Sequence, residues 1–76
     1  MENIYKILND LRPEFNFKES KNFIEDGLLD SFDIVTLVSE LEEKYNIMID
    51  ALDILPENFE TVDAIAAVIK KNGGHI

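Results

Sequence analysis

Ile34, Leu37, Val38, Leu41 and Tyr45 fall within an arc of about 100° when each residue turns by about 100°. This spacing predicts an amphipathic helix whose apolar stripe other elements must cover. Asp30 has the chemistry of an N-cap, and the carboxylates of Asp30 and Asp33 suit the positive end of the helix dipole. Asn46 is expected to end the helix. Ahead of it, Ile4, Ile7, Leu8 and Leu11 keep helical spacing, and Pro13 ends that first helix by Arg12. Behind it, Thr61 caps a last helix in which Val62, Ile65, Val68 and Ile69 face inward and Ala64, Ala66 and Ala67 permit close approach. Lys70 and Lys71 stand at its C-terminal end, and Gly73-Gly74 stops it.

Pro56 to Phe59 reads as a short turn of helix with proline at an early position. Ile47 and Ile49 are too few for a strand. The expected fold class is all-α: a small four-helix bundle of three main helices and one short one, residues 1–76 forming a single domain. Residues 13–30 show no sustained period, yet Phe15, Phe17, Phe23, Ile24, Leu28 and Leu29 are spread through them. A loop this long in so small a domain is expected to pack its own side chains onto the core.

The chain has 76 residues, of which 46% are hydrophobic, so a compact core is within reach. Without cysteine, disulfides and thiolate metal sites are excluded. No apolar run approaches the roughly 18 residues of a membrane span, and Met1-Glu2-Asn3 does not begin a signal peptide. A cytoplasmic monomer without stable membrane insertion is expected. The net charge of −9 is unevenly placed: ten acids against one base, Lys44, from Asp30 to Asp63, and six of each elsewhere. Such a field repels nucleic acid, which is not an expected partner, and attracts proteins with basic patches, unless it serves solubility alone.

Gly27-Leu28-Leu29-Asp30-Ser31-Phe32-Asp33 places a lone hydroxyl between a glycine-bearing loop and the head of the amphipathic helix. With no histidine, cysteine or basic residue nearby in sequence, Ser31 reads either as an attachment point or as an ordinary serine at a helix start. The single histidine, His75, is one residue from the end. Carboxylates abound, but a bundle this small has little room for a concave pocket that would shift their pKa values. The acids from Asp50 to Asp63 do not follow a calcium-loop spacing. Neither an enzyme nor a metal site is expected.

With Ser31 at zero on the helical wheel, the apolar arc is centred near 295°, Phe32 lies near 100° and Val35 near 40°. Thr36, Ser39, Glu42 and Glu43 are also assigned to the outer face, with Asp33 beside Phe32 at the helix start. Phe32 and Val35 ringed by glutamates have the make-up of an apolar anchor with a charged rim. The other reading of Phe32 folds it back over the long loop onto Leu28 or Leu29.

Asp30-Ser31 followed by an apolar residue, at the head of an acidic helix in a chain of this length, resembles the acyl carrier proteins. The resemblance covers nearly the whole chain, including Phe23-Ile24-Glu25-Asp26, the helix through Glu42-Glu43 and Tyr45, Ile47 and Ile49, and Thr61-Val62. It implies that Ser31, within the Asp30-Ser31 motif, receives 4′-phosphopantetheine from coenzyme A through a phosphodiester made by a phosphopantetheinyl transferase. The thiol of that arm would carry an acyl or aminoacyl group as a thioester. An acyl- or aminoacyl-activating ligase and downstream acyl-transfer enzymes are then the implied partners, meeting Phe32, Asp33, Val35, Thr36, Ser39, Glu42 and Glu43.

Gly27 to Phe32 is more similar to the D-alanyl carrier proteins than to fatty-acid carriers, which favour leucine after the serine. Thr36 and Ser39 stand where fatty-acid carriers place a glutamate and a larger apolar residue, whereas Asp53 to Ile69 does not resemble the D-alanyl carriers. A specialised carrier with a dedicated ligase, in fatty-acid or secondary-metabolite biosynthesis, accommodates both departures. The reading from another class is an unmodified acidic interaction module docking through Phe32, Val35, Glu42 and Glu43.

Overall fold

A computed structural model describes residues 2–76. Three α-helices, α1 (Glu2–Leu11), α2 (Ser31–Tyr45) and α3 (Val62–Lys71), are joined by segments holding 3₁₀ turns at Phe17–Glu19, Ala51–Asp53 and Pro56–Phe59. There is no strand among the described residues, and the all-helical fold class expected from the periodicity is the one observed. The short fourth element is a 3₁₀ turn with Pro56 at its start, where the missing N–H costs nothing. Helix α1 and this turn each pack against both α2 and α3. Among the described residues no helix is long and apolar enough to cross a membrane.

Each helix end has a local cause. Asn46 ends α2 in the left-handed conformation, φ 54°, with its N–H donating to the Glu42 carbonyl. Thr61 Oγ1 accepts from the Ala64 N–H at 3.1 Å and opens α3. Past α3, Gly73 has φ +89°, and a Cβ on Gly74 would collide with the Ile69 side chain. The chain thus folds back over the last turn, with the Gly74 N–H donating to Ile69 O at 2.8 Å.

The core joins Ile4 and Leu8 of α1, Leu37 and Leu41 of α2, and Ile65 and Ile69 of α3, all fully buried. Phe17, Phe23 and Leu29 complete it from the long segment before α2. That segment is held by Phe23, whose N–H donates to Glu60 O at 2.7 Å and whose carbonyl accepts from Leu28 and Leu29 at 2.9 and 3.2 Å. The expectation that it packs its own side chains inward is met. One detail differs: Ala67 is exposed, so only Ala66, with Ala64 half-buried, lies against neighbouring elements.

The charge distribution is also modified by folding. Asp33 and Asp53 are buried and pair with Arg12 and Lys71, bases from outside the acid-rich stretch. Of the ten acids from Asp30 to Asp63, eight are left to make the outward field.

Candidate functional site

Ser31 is the first residue of α2, exposed, with Asp30 as its N-cap in an extended conformation. Asp30 Oδ1 accepts from the Asp33 N–H at 2.9 Å, and Asp33 Oδ2 accepts from the Asp30 N–H at 3.2 Å. This reciprocal capping box occupies two of the amides that a helix start leaves unpaired. The first intrahelical bond runs from the Ile34 N–H to Asp30 O, 3.0 Å. The Ser31 and Phe32 N–H groups are therefore the ones left at the helix end, where the dipole favours negative charge. The Ser31 hydroxyl takes part in none of the side-chain hydrogen bonds among the described residues.

Arg12, just past the end of α1, fastens this box from outside. Its Nε and Nη2 donate to Asp33 Oδ2 at 3.1 and 2.9 Å, while Nη1 reaches Glu14 Oε2 at 3.3 Å and Nη2 lies 3.9 Å from Asp30 Oδ2. Burial pushes the Asp33 carboxyl up, but hydrogen bonds from Arg12 and the Asp30 N–H, with the Arg12 charge, outweigh it and hold the group below its usual range. The same contacts raise Arg12 further.

This placement corrects the assignment of Asp33 to a partner-binding face. Near 200° on the wheel it is about 40° from Leu37, the edge of the apolar stripe, and that edge is turned toward Arg12. Its side chain is consumed inside the fold. No sequence neighbour signals this, because the partner is 21 residues away.

Beside Ser31 opens a cavity of about 200 Å³ lined by Ser31, Ile34, Val35, Ile54 and Pro56. Ile54 and Pro56 belong to the segment between α2 and α3, and sequence reasoning did not connect them with the serine. Their only signal was an apolar residue just ahead of a predicted turn and the proline that opens it. Phe32 and Val35 are 79% and 64% exposed, so Phe32 does not fold back onto Leu28 or Leu29. Ser39 and Glu43 are exposed as well, and Thr36 is half-buried with its hydroxyl donating to Phe32 O at 3.3 Å. Glu42 is also half-buried: its Oε2 accepts from the Ile49 N–H at 2.9 Å, which holds the segment after α2. Among the described residues no group of three or more histidines and carboxylates is arranged to hold a metal ion.

Residues 4–69 match the family model described as the phosphopantetheine attachment site. An acyl carrier protein of Wolinella succinogenes is 41% identical over 63 residues, covering 83% of this chain and 79% of that protein. One from Helicobacter hepaticus is 41% identical over 64 residues, covering 84% and 74%. No solved structure gives a significant match. The helical fold and the family match together define a carrier rather than a catalyst. The chain belongs to the acyl carrier protein family, whose members hold a covalent 4′-phosphopantetheine and work with a phosphopantetheinyl transferase and acyl-handling enzymes. The unmodified interaction module is thereby set aside.

Proposed function

We propose that Ser31 Oγ is the attachment atom and that the protein presents an acyl or aminoacyl thioester to partner enzymes from the head of α2. The observation that carries this reading is the exposed hydroxyl without internal partners, on a residue whose backbone the capping box holds rigidly. In the transfer, Ser31 Oγ gives its proton to a base of the transferase and attacks the 4′-phosphate phosphorus of coenzyme A. The pyrophosphate bond breaks and adenosine 3′,5′-bisphosphate leaves. The residues fit the product: the free Ser31 and Phe32 N–H groups suit a phosphodiester at a helix start, and the apolar cavity of Ile34, Val35, Ile54 and Pro56 adjoins it. When attached, the arm supplies the thiol that holds cargo.

Phe32 and Val35 form the apolar anchor for partner enzymes, with Ser39 and Glu43 on the rim and Asp30 contributing as helix cap. Phenylalanine after the serine, and Thr36 and Ser39 on α2, support a specialised pathway with a dedicated activating ligase. A cytoplasmic location accords with that role. The test is intact mass after incubation with coenzyme A and a broad-specificity phosphopantetheinyl transferase. A gain of one phosphopantetheine group on the wild type and none on Ser31→Ala is expected. No gain, or a gain that persists in Ser31→Ala, overturns the assignment.

A further inference from the structure

We propose that Arg12 is a positioning residue for the modified state: it supplies the counter-charge that lets a phosphodiester on Ser31 coexist with the Asp30–Asp33 capping box. This rests on the reading of Ser31 as the attachment residue. A phosphodiester there adds an anion one residue after Asp30 and two before Asp33. The α2 dipole offers only about half a positive charge at its start, and the two carboxylates already draw on it. Three anions against half a charge leave a deficit that no base of the acid-rich stretch can meet, because its single base, Lys44, lies in the last turn of the same helix.

Arg12 meets it from another element. Two of its N–H groups converge on the one Asp33 oxygen that also accepts from the Asp30 N–H, and its Nη2 lies 3.9 Å from Asp30 Oδ2. Asp33 is only 5% exposed, so water cannot take over the screening. Without the guanidinium, a buried carboxylate would face the new phosphodiester uncompensated. In the unmodified protein the same loss already leaves Asp33 buried without its cation; in the modified one the repulsion from the phosphodiester is added to that. The role therefore differs between the two states.

The experiment compares thermal midpoints of apo and holo protein at low salt for wild type, Arg12→Gln, Arg12→Lys and Asp33→Asn, with modification verified by intact mass. Arg12→Gln should lower the holo form by roughly 2 to 6 °C more than the apo form. Arg12→Lys should keep the wild-type difference between holo and apo, because charge is retained, even though both forms melt lower. Asp33→Asn should shift the difference the other way, in favour of holo, and keeps the proposal testable even where Arg12→Gln does not fold. All these differences should shrink as salt screens them. The same apo–holo difference in wild type, Arg12→Gln and Asp33→Asn would make residue 12 merely structural and overturn the proposal. Failure of the Ser31 reading shows earlier and differently, as a missing or misplaced mass gain, and removes the proposal with it.

Discussion

Phe17 and Phe23 meet edge to face, ring centroids 5.1 Å apart and planes at 85°, within a segment whose only regular element is one 3₁₀ turn. Phe15 extends the cluster, 6.4 Å from Phe17. These rings let the nineteen residues between α1 and α2 hold Ser31 in place, since that segment ends at Asp30. Truncating Phe23 to alanine should cost about 3–5 kcal/mol. A domain of this length has roughly 4–11 kcal/mol in total, so Phe23→Ala should lose a large part of its urea midpoint. Phe15→Ala, at a half-buried position, should lose much less, and urea unfolding followed by circular dichroism reads both.

Acid sensitivity follows from Asp33 and Asp53. Asp53 is held below its ordinary range by its hydrogen bond from Lys71 at 2.7 Å, against the opposing effect of burial, with Asn72 assisting. Asp33, despite its burial, is held low by Arg12 and the Asp30 N–H. Between the depressed native value and the ordinary 3.8, the folded chain binds fewer protons than the unfolded one. Their stabilisation is complete above that ordinary value and disappears as pH falls through the native values. Melting midpoints should therefore fall steeply only in acid below about pH 4, and Asp33→Asn should flatten the fall while lowering the plateau.

At alkaline pH the same pair gives the opposite sign. Lys71 is raised by its hydrogen bond from Nζ to Asp53 and by that charge. The contribution is whole below the ordinary 10.5 and is lost as pH rises through the raised value. Lys71→Met should remove this alkaline dependence, as read by melts on the alkaline side.

Glu42 and Glu43 are neighbours in sequence with different roles. Glu43→Lys should leave stability within about 0.5 kcal/mol of wild type and slow association with the transferase chiefly at low salt, where steering is strongest. Glu42→Lys should also lose about 1 kcal/mol, because Ile49 N–H loses its acceptor. Stopped-flow association and chemical unfolding separate the two effects.

Phe32→Ala should leave the thermal midpoint unchanged and raise the KM for the transferase about tenfold or more, the signature of an exposed anchor. A matched fall in stability would place the ring in the fold instead.

Much of this was legible in short-range pattern. The 3.6-residue period of Ile34 to Tyr45, the cap at Asp30, the stop at Asn46 and the start at Thr61 all depend on groups within about four residues of one another. The position of Ser31 at the head of α2 follows from the same local rules. Asp33 was misplaced because a residue at the edge of an apolar stripe takes its environment from whatever element arrives there. The cavity wall of Ile54 and Pro56 was missed because no period links it to the serine.

The sequence by itself determined where the helices begin and end, and which hydroxyl stands at the head of the acidic one, since helix bonds and caps close within a turn. Only the tertiary structure decided that Asp33 and Asp53 turn inward to Arg12 and Lys71, that Phe17 and Phe23 meet edge to face in the core, and that Phe32 stays in water. Those outcomes depend on contacts between distant residues, where chain closure and competition for burial, rather than local periodicity, set the partner.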